Sequence, residues 1–390
     1  WVCHGHSFHT RDDRDHKSDT EGMTDRKLFA PDVIEKDGKY YLYAYIVGSK
    51  GVVGVSDKPE GPFKLLSQYK YDPEDAGDDG IYNDAGVLVD DDGRVYIYYG
   101  FTESNFNEID PADMYTIKKG SYKRAVIDDS DNAPQEQRFF EASSPRKIGD
   151  TYYLIYSPCV GSRLAYATSD KPQGPFKYRG YIIDNGVDYP GGNDHGSVCN
   201  INGQWYIFYH RMTNNTIMSR RACVEKIEIL PDGTIPTVEM TSLGFEDSLD
   251  PFKPYPADIA CVLKGGCFIT EKDIFTRSIV NITHGNVIGY KYFDFGEDFS
   301  SKTMKIALKV RGMGTVTKVV YADDYENSEP VGYVDIGTGD GVYTGVVKSL
   351  TGRHSIYFVP TAFSDELADW IADYFKNKPL FELEEFVFLK

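Results

Sequence analysis

The chain has 390 residues, enough for two domains, and its 60 acidic against 42 basic side chains give a formal net charge of −18. This charge disfavours nucleic acid and anionic membrane surfaces as partners and suits a neutral or cationic ligand. No apolar run approaches the ~20 residues that span a bilayer, so we expect no membrane insertion.

The chain begins at Trp1 without a signal-peptide pattern, and we expect its natural start to lie upstream. We expect a secreted or periplasmic location, with the cytoplasm as the alternative.

The cysteines show no CxxC pair and no zinc-like spacing, which favours buried thiols. A bridge between Cys261 and Cys267 is the alternative and would indicate an oxidising compartment. The six cysteines are Cys3, Cys159, Cys199, Cys223, Cys261 and Cys267.

A hairpin pattern recurs through the first half of the chain: a strand, a turn with Asp or Asn and Gly, and an aromatic-rich strand. Such turns between alternating apolar runs predict β-hairpins. The segments "SDKPEGPFK" and "SDKPQGPFK" form a second repeated element. Small antiparallel sheets repeated at this length predict a β-propeller. The aromatic strands contain Tyr41, Tyr96, Tyr153 and Tyr206, spaced 55, 57 and 53 residues apart.

Four hairpins are visible, and the opening "WVCHGHSF" is similar to "FKYRGYII", which closes a later unit. We therefore predict an all-β fold that contains a five-bladed β-propeller whose first blade is truncated at the N-terminus. A four-bladed propeller is the alternative, but it leaves the opening segment unexplained.

The repeat ends after about Pro236, where a segment rich in Pro and Gly predicts a linker. From about Cys267 short alternating strands return without the repeat, which predicts a separate β-sandwich. The stretch "SDELADWIADYFKNK", with Ser364 as N-cap, predicts one helix. We place the propeller at residues 1–260 and the sandwich at 261–390.

The residues just ahead of the predicted inner strands are the candidates for a functional site. Inner strands of a propeller converge on one channel, so these residues can reach a common point. A lone acid at a strand start is usually a solvated turn or an ion-pair partner. Recurrence in successive repeats indicates function, because clustered carboxylates repel each other unless a cation or a reaction requires them. These positions hold Asp32, Asp84, Glu141 and the pair Asp194–His195.

The motifs at these positions resemble those of glycoside hydrolase family 43, a five-bladed propeller family, over about residues 1–261. They are "LFAPDV", "DAGVLVDDDGRVYIYYG", "FFEASSPRKIGDTYYLIYS", "GNDHGSV" and "WYIFYHR". The tail, through "GRHSIYFVP" and "LFELEEFVFLK", resembles more weakly a family 6 carbohydrate-binding module, a β-sandwich.

The resemblance implies an inverting glycoside hydrolase acting on plant cell-wall polysaccharide or oligosaccharide. We expect an α-L-arabinofuranosidase, with two alternatives: a β-xylosidase of the same fold, or a catalytically inactive glycan-binding protein. The inactive protein is an alternative because the family's catalytic base precedes every motif present here. Asp32 is a fallback base, and otherwise supports the pocket wall beside the substrate.

The resemblance also implies roles for the other candidates. Glu141 would be the general acid, and Asp84 would be a second acid that orients Glu141 and keeps it protonated. The adjacent Phe140 would contact substrate and limit the solvation of Glu141. Arg211 matches a family arginine that contacts the sugar; an ion pair with one of the acids is the alternative.

His195 matches a family histidine near the propeller axis that in many members helps to hold calcium. Calcium prefers oxygen ligands, so His195 would be an outlying or water-mediated ligand. A hydrogen-bonded channel histidine without metal is an equal alternative. We expect no organic cofactor.

Overall fold

The computed structural model describes residues 4–12, 17–20, 23, 26–77, 80–127, 132–186, 194–214, 216, 219–271, 273, 276–297, 300–312, 316–362 and 377–390. Their regular structure is strand apart from short 3-10 turns, such as those at Pro73–Asp75 and Ala257–Ile259, which confirms the all-β prediction. No helix within these ranges is long and apolar enough to cross a membrane. Most of the predicted helix that begins at Ser364 lies outside the described residues.

Four small antiparallel sheets follow one another along the chain in a propeller-like arrangement. The first contains β1 (Leu28–Lys36), β2 (Lys39–Ile46), β3 (Val52–Ser56) and β4 (Lys64–Gln68). The second contains β5 (Gly86–Val89), β6 (Val95–Tyr99), β7 (Asn105–Ile109) and β8 (Lys123–Arg124). The third contains β9 (Phe139–Ile148), β10 (Thr151–Pro158), β11 (Arg163–Ser169) and β12 (Lys177–Asp184). The fourth contains β13 (Gly196–Ile201), β14 (Gln204–Met212) and β15 (Arg220–Ile227).

The first two strands of each sheet are the predicted hairpins. Asp37 and Gly38 between β1 and β2 have φ values of 53° and 74°, and Asn202 and Gly203 between β13 and β14 have 53° and 91°. Two consecutive positive φ values define the tight hairpin turns that Asp-Gly and Asn-Gly favour. The hairpin predictions are therefore confirmed. The described residues form four such sheets, so the fifth blade is not confirmed.

The second repeated element occupies equivalent places in two sheets. "SDKPEGPFK" joins β3 to β4, and "SDKPQGPFK" joins β11 to β12. The phenylalanine of each copy, Phe63 or Phe176, is almost fully buried. The repeat thus anchors the outermost strand of each sheet through one apolar side chain.

Neighbouring sheets share apolar cores and a buried polar link. Asp90 follows β5 in the second sheet, and its side chain is buried. Two groups of the third sheet donate to its carboxylate: Lys147 Nζ at 2.6 Å and the Tyr152 hydroxyl at 2.5 Å. Burial by itself would raise the pKa of Asp90, but these bonds and the backbone N–H of Asp91 lower it below its usual range.

The chain divides into two compact units. The first comprises the described residues up to 186, together with 194–210 and 227–238; the second comprises 211–226 and 239–390. The second unit therefore includes two stretches ahead of residue 261. The single boundary between 260 and 261 stays a prediction.

The strands of the second unit after residue 239 form one eleven-stranded sheet, β17-β20-β25-β22-β23-β24-β21-β26-β19-β18, with β16 paired to β26. Aromatic side chains such as Tyr290, Phe293 and Phe386 fill its core. The division into the two sheets of a sandwich is not confirmed. The strands are β16 (Tyr255–Pro256), β17 (Val262–Lys264), β18 (Phe268–Glu271), β19 (Arg277–Ile282), β20 (Val287–Asp294), β21 (Thr303–Gly312), β22 (Val316–Ala322), β23 (Gly332–Ile336), β24 (Gly341–Lys348), β25 (Arg353–Thr361) and β26 (Phe381–Leu389).

Cys261 and Cys267 of this unit are buried thiols, as the favoured interpretation predicted, but that interpretation is wrong for Cys199, which is exposed, and Cys159 and Cys223 are only half-buried. Cys261 Sγ lies 3.6 Å from the carbonyl oxygen of Gly289, and Cys267 Sγ lies 3.5 Å from that of Lys264. The alternative, a disulfide between them, is not formed.

Candidate active site

Three of the predicted site residues meet at one point. Asp84 lies just ahead of β5, Glu141 lies at the start of β9, and His195 lies just ahead of β13. One side-chain oxygen or nitrogen of each lies within 4.8 Å of those of the other two. His195 Nε2 is 3.5 Å from Asp84 Oδ2 and 3.6 Å from Glu141 Oε1. We call Asp84, Glu141 and His195 the acid cluster.

Irregular backbone at the strand starts aims the two carboxylates. Asp84 has φ 48°, and Ala142, the residue after Glu141, has φ 71°. The pairing of β9 with β10 also shifts register near Glu141, which lies opposite Ser157. Residues other than glycine seldom adopt positive φ, and bulges re-aim side chains where function needs it. The strained geometry therefore coincides with the acid cluster.

The acid cluster is largely shielded from solvent. The side chain of Asp84 is 8% exposed and that of Glu141 is 14% exposed. Of the two aromatic residues before Glu141, Phe139 is fully buried and packs on Tyr156, with ring centroids 5.7 Å apart. Phe140 is half-buried instead. The two phenylalanines before Glu141 thus differ: Phe139 is a core side chain, and Phe140 is partly exposed to solvent.

Asp32 links the first sheet to the second. Its Oδ2 accepts the backbone N–H of Val87 at 2.8 Å, and its Oδ1 accepts that of Val33 at 3.0 Å. Burial raises the pKa of Asp32, and the nearby charge of Arg146 and the two N–H groups oppose that shift. Both carboxylate oxygens already have a backbone partner, as expected of a side chain that supports the site.

His195 is supported by a polar network of which the sequence analysis had singled out only Asp194. The backbone N–H of His195 donates to His210 Nδ1 at 3.4 Å, and the two imidazole rings stack with centroids 5.9 Å apart. His210 Nδ1 also lies 3.7 Å from Asp194 Oδ1. Asp194 is buried, accepts from Asn185 Nδ2 at 3.1 Å, and donates its backbone N–H to the Ser157 hydroxyl. His210 lies on β14, the hairpin partner of the strand that begins in "NDHGS", and this pairing could have identified it from the sequence.

Arg211 belongs to the second unit. Its side chain is buried, and its guanidinium donates to the carbonyl oxygen of Ala260 in the same unit. The predicted contact of Arg211 with the sugar stays a prediction.

The acid cluster provides two carboxylates and one imidazole as possible metal ligands. Ca²⁺ usually takes six to eight oxygen ligands. The cluster offers oxygen ligands from only two residues, so it fits Ca²⁺ only if water supplies most of the coordination. Another acidic group (Asp72, Glu74 and Asp75) is partly neutralised by Lys119, whose Nζ lies 3.4 Å from Asp72 and from Glu74.

Comparison with known proteins gives a consistent assignment. Residues 1–235 match the family model described as Glycosyl hydrolases family 43. The "Xylosidase/arabinosidase" of Thermoclostridium stercorarium is 35% identical, and the match covers 85% of this chain and 79% of that protein.

Two solved structures are also similar. The arabinoxylan arabinofuranohydrolase of Bacillus subtilis in complex with cellotetraose is 23% identical, with a TM-score of 0.50 over 92% of this chain and 78% of that one, a likeness of fold. A β-xylosidase/α-arabinofuranosidase from a compost microbial metagenome, in complex with xylotriose and in a calcium-free form, is 30% identical. Its TM-score is 0.47 over 54% of this chain and 73% of that one.

Proposed function

The chain belongs to the glycosyl hydrolases of family 43 and is a glycoside hydrolase. We propose that it removes arabinofuranosyl residues from xylan-type polysaccharide or oligosaccharide with inversion of configuration. The observation that carries the proposal is the convergence of the acid cluster within 4.8 Å. Removal of xylosyl residues is the second candidate, because the name of the Thermoclostridium relative includes both activities.

We assign Glu141 as the general acid that protonates the leaving glycosidic oxygen. Its side chain is shielded and lies beside Asp84, and two adjacent carboxylates repel each other when both are ionised. Glu141 would deliver its proton to the leaving oxygen. Asp84 and His195 would orient Glu141 in this scheme.

The distance within the pair bears on the stereochemistry. In inverting glycosidases the acid and the base are ~6.5–9.5 Å apart, which leaves room for the attacking water. Asp84 and Glu141 lie closer than this, so Asp84 suits the role of an assisting acid rather than that of the base. So short a distance is also compatible with a retaining mechanism in which Asp84 is the nucleophile.

Asp32 and Phe140 would form part of the wall around the sugar. Asp32 suits this role better than water activation, because each of its oxygens accepts a backbone N–H. Arg211 is retained in the proposal as a sugar contact on the strength of its motif alone.

His195 would hold a calcium ion through water, and the ion would supply positive charge beside the carboxylates when bound. Calorimetric titration of Ca²⁺ into the wild type and into His195→Ala tests this assignment. We also retain three predictions: a fifth blade, a sandwich at 261–390 that acts as a carbohydrate-binding module, and a secreted or periplasmic location.

The direct experiment is hydrolysis of nitrophenyl α-L-arabinofuranoside and nitrophenyl β-D-xyloside by the full chain. We expect turnover of the arabinofuranoside to exceed that of the xyloside. The reverse order would assign a β-xylosidase. Binding of xylan without turnover of either substrate would contradict the enzymatic proposal and indicate a glycan-binding protein.

A further inference from the structure

Phe101 is an exposed aromatic residue beside the acid cluster that the motifs did not reveal. It lies between β6 and β7, and 51% of its surface is exposed. No other large hydrophobic residue described in the first unit is as exposed. Its ring centroid lies 5.0 Å from that of Phe140, with the ring planes inclined by 60°. Phe140 immediately precedes Glu141 in the chain, so the two rings form one aromatic surface on the segment that carries the proposed acid.

The backbone on either side of Phe101 is bound to both carboxylate-bearing segments. The N–H of Gly100 donates to the carbonyl oxygen of Asn83 at 3.0 Å, and Asn83 immediately precedes Asp84. The N–H of Thr102 donates to the carbonyl oxygen of Phe140 at 2.6 Å. Residues 100–102 therefore connect the segment of Asp84 to that of Glu141, with the exposed ring of Phe101 between the two bonds.

The conformation of this connection is closely constrained. Gly100 has φ +138°, and a Cβ built on it would lie 1.9 Å from the carbonyl oxygen of Glu103. Thr102 also has a positive φ, 62°. Such backbone persists only where the surroundings hold it in place. The backbone that carries Phe101 therefore has a defined conformation, and the contact with Phe140 positions the ring on it.

Single exposed apolar side chains are common on protein surfaces, and exposure alone would carry no inference. Here the backbone that carries the ring is bound to both acid-bearing segments, and the ring contacts Phe140, the residue next to Glu141. Sugar rings present apolar C–H faces that suit a flat aromatic surface, and aromatic side chains provide large apolar contact areas. The strongly acidic chain also suits a neutral ligand.

We propose that Phe101, supported by Phe140, is the binding platform for the sugar ring on the leaving-group side of the scissile bond. This inference rests on the proposed function, because the leaving group lies on the side from which Glu141 protonates the glycosidic oxygen. The ligand class is a neutral pyranose ring of a xylan-type chain. Phe101 would act on binding and orientation, and Glu141 would carry the proton.

The test compares substrates with and without a leaving sugar. One substrate is a xylooligosaccharide that carries the sugar to be released, and the other is the glycosyl fluoride of that same sugar. The leaving group of the second substrate, fluoride, contains no sugar ring and needs little protonation. We expect Phe101→Ala to lower kcat/KM on the oligosaccharide about tenfold, mainly through KM, and to leave the fluoride within about twofold. Phe101→Trp, which keeps an aromatic face, should restore most of the loss.

Leu66→Ala is the matched control, since Leu66 is 40% exposed on β4, the outermost strand of its sheet. It should leave both substrates unchanged. An equal loss on both substrates in Phe101→Ala, or no loss on the oligosaccharide, would overturn the inference. If Phe101→Ala unfolds at the assay temperature, Phe101→Leu gives the same comparison without a ring. A wild-type protein that cleaves neither substrate would contradict the proposed function instead.

Discussion

Carboxylate oxygens of Asp84 and Glu141 lie within 4.8 Å of each other, although the two residues start strands of different sheets. His195 Nε2 faces both of them, at 3.5 Å from Asp84 and 3.6 Å from Glu141. Because the two carboxylates and the imidazole of the acid cluster are this close, a charge change at one residue alters the electrostatic environment of the other two.

Glu141→Gln should reduce turnover of substrates with poor leaving groups about 10²–10⁴-fold, because the leaving oxygen is no longer protonated. Glycosyl fluorides need less protonation and should lose much less. Steady-state kinetics on an oligosaccharide and on a fluoride provide the measurement. Glu60→Gln, in an exposed turn, is the control and should match the wild type on both. Equal losses on the two substrates would remove Glu141 from the role of acid.

The stereochemistry of the first product distinguishes the two mechanisms that the distance between Asp84 and Glu141 leaves open. We expect NMR spectra recorded during hydrolysis to show the inverted anomer first. We also expect azide to produce no glycosyl azide with Asp84→Ala, since Asp84 would form no covalent bond. A retained anomer, together with azide rescue of that variant, would establish Asp84 as a nucleophile.

The variant Asp32→Asn distinguishes two roles for the Asp32 side chain, support of the site and activation of the attacking water. Burial raises the pKa of Asp32, so its charged form is disfavoured in the folded state, and its contribution to stability rises as the pH falls toward the folded pKa. The neutral amide avoids this burial cost and keeps an acceptor for the N–H of Val87, so we expect little loss of stability at pH 7.

Asp32→Ala leaves the N–H of Val87 without its acceptor and should cost about 1–3 kcal/mol in urea denaturation. Hydrolysis by Asp32→Asn should fall modestly and show no rescue by azide. A loss above about 10²-fold that azide restores would make Asp32 the base.

Asp90 should stabilise the fold in a pH-dependent way. Its pKa is lowered in the folded state, so its contribution is present above the unfolded value of about 3.9 and is lost as the pH falls through the folded pKa. Asp90→Asn should therefore cost about 1–2 kcal/mol at pH 7 and much less near pH 3.

Urea denaturation at the two pH values measures the difference between the wild type and Asp90→Asn. Asp91→Asn is the control, because Asp91 also contacts Lys147 but its side chain is 85% exposed. An equal cost for Asp90→Asn at both pH values would show that the ionised carboxylate contributes nothing.

The hairpins and the positions of the candidate acids could be predicted from the amino-acid sequence. The turns at Asp37–Gly38 and Asn202–Gly203 depend on backbone conformations that neighbouring residues set, so they are readable from short stretches. The recurrence of Asp84, Glu141 and His195 ahead of successive hairpins is also a property of the sequence.

Only the tertiary structure decided what these local elements do together. It placed Phe139 in the core and left Phe140 partly exposed, because successive side chains of a strand point to opposite faces and only the packing decides which face is buried. It also brought residues 100–102 against the segments of Asp84 and Glu141 through two backbone hydrogen bonds. Such bonds form between backbone groups that every residue carries and depend on long-range packing, so no side-chain motif records them. For the same reason short strands were predictable from about Cys267 on, whereas their union in a single sheet was not, and β16 and β17 lie in the stretch predicted as linker.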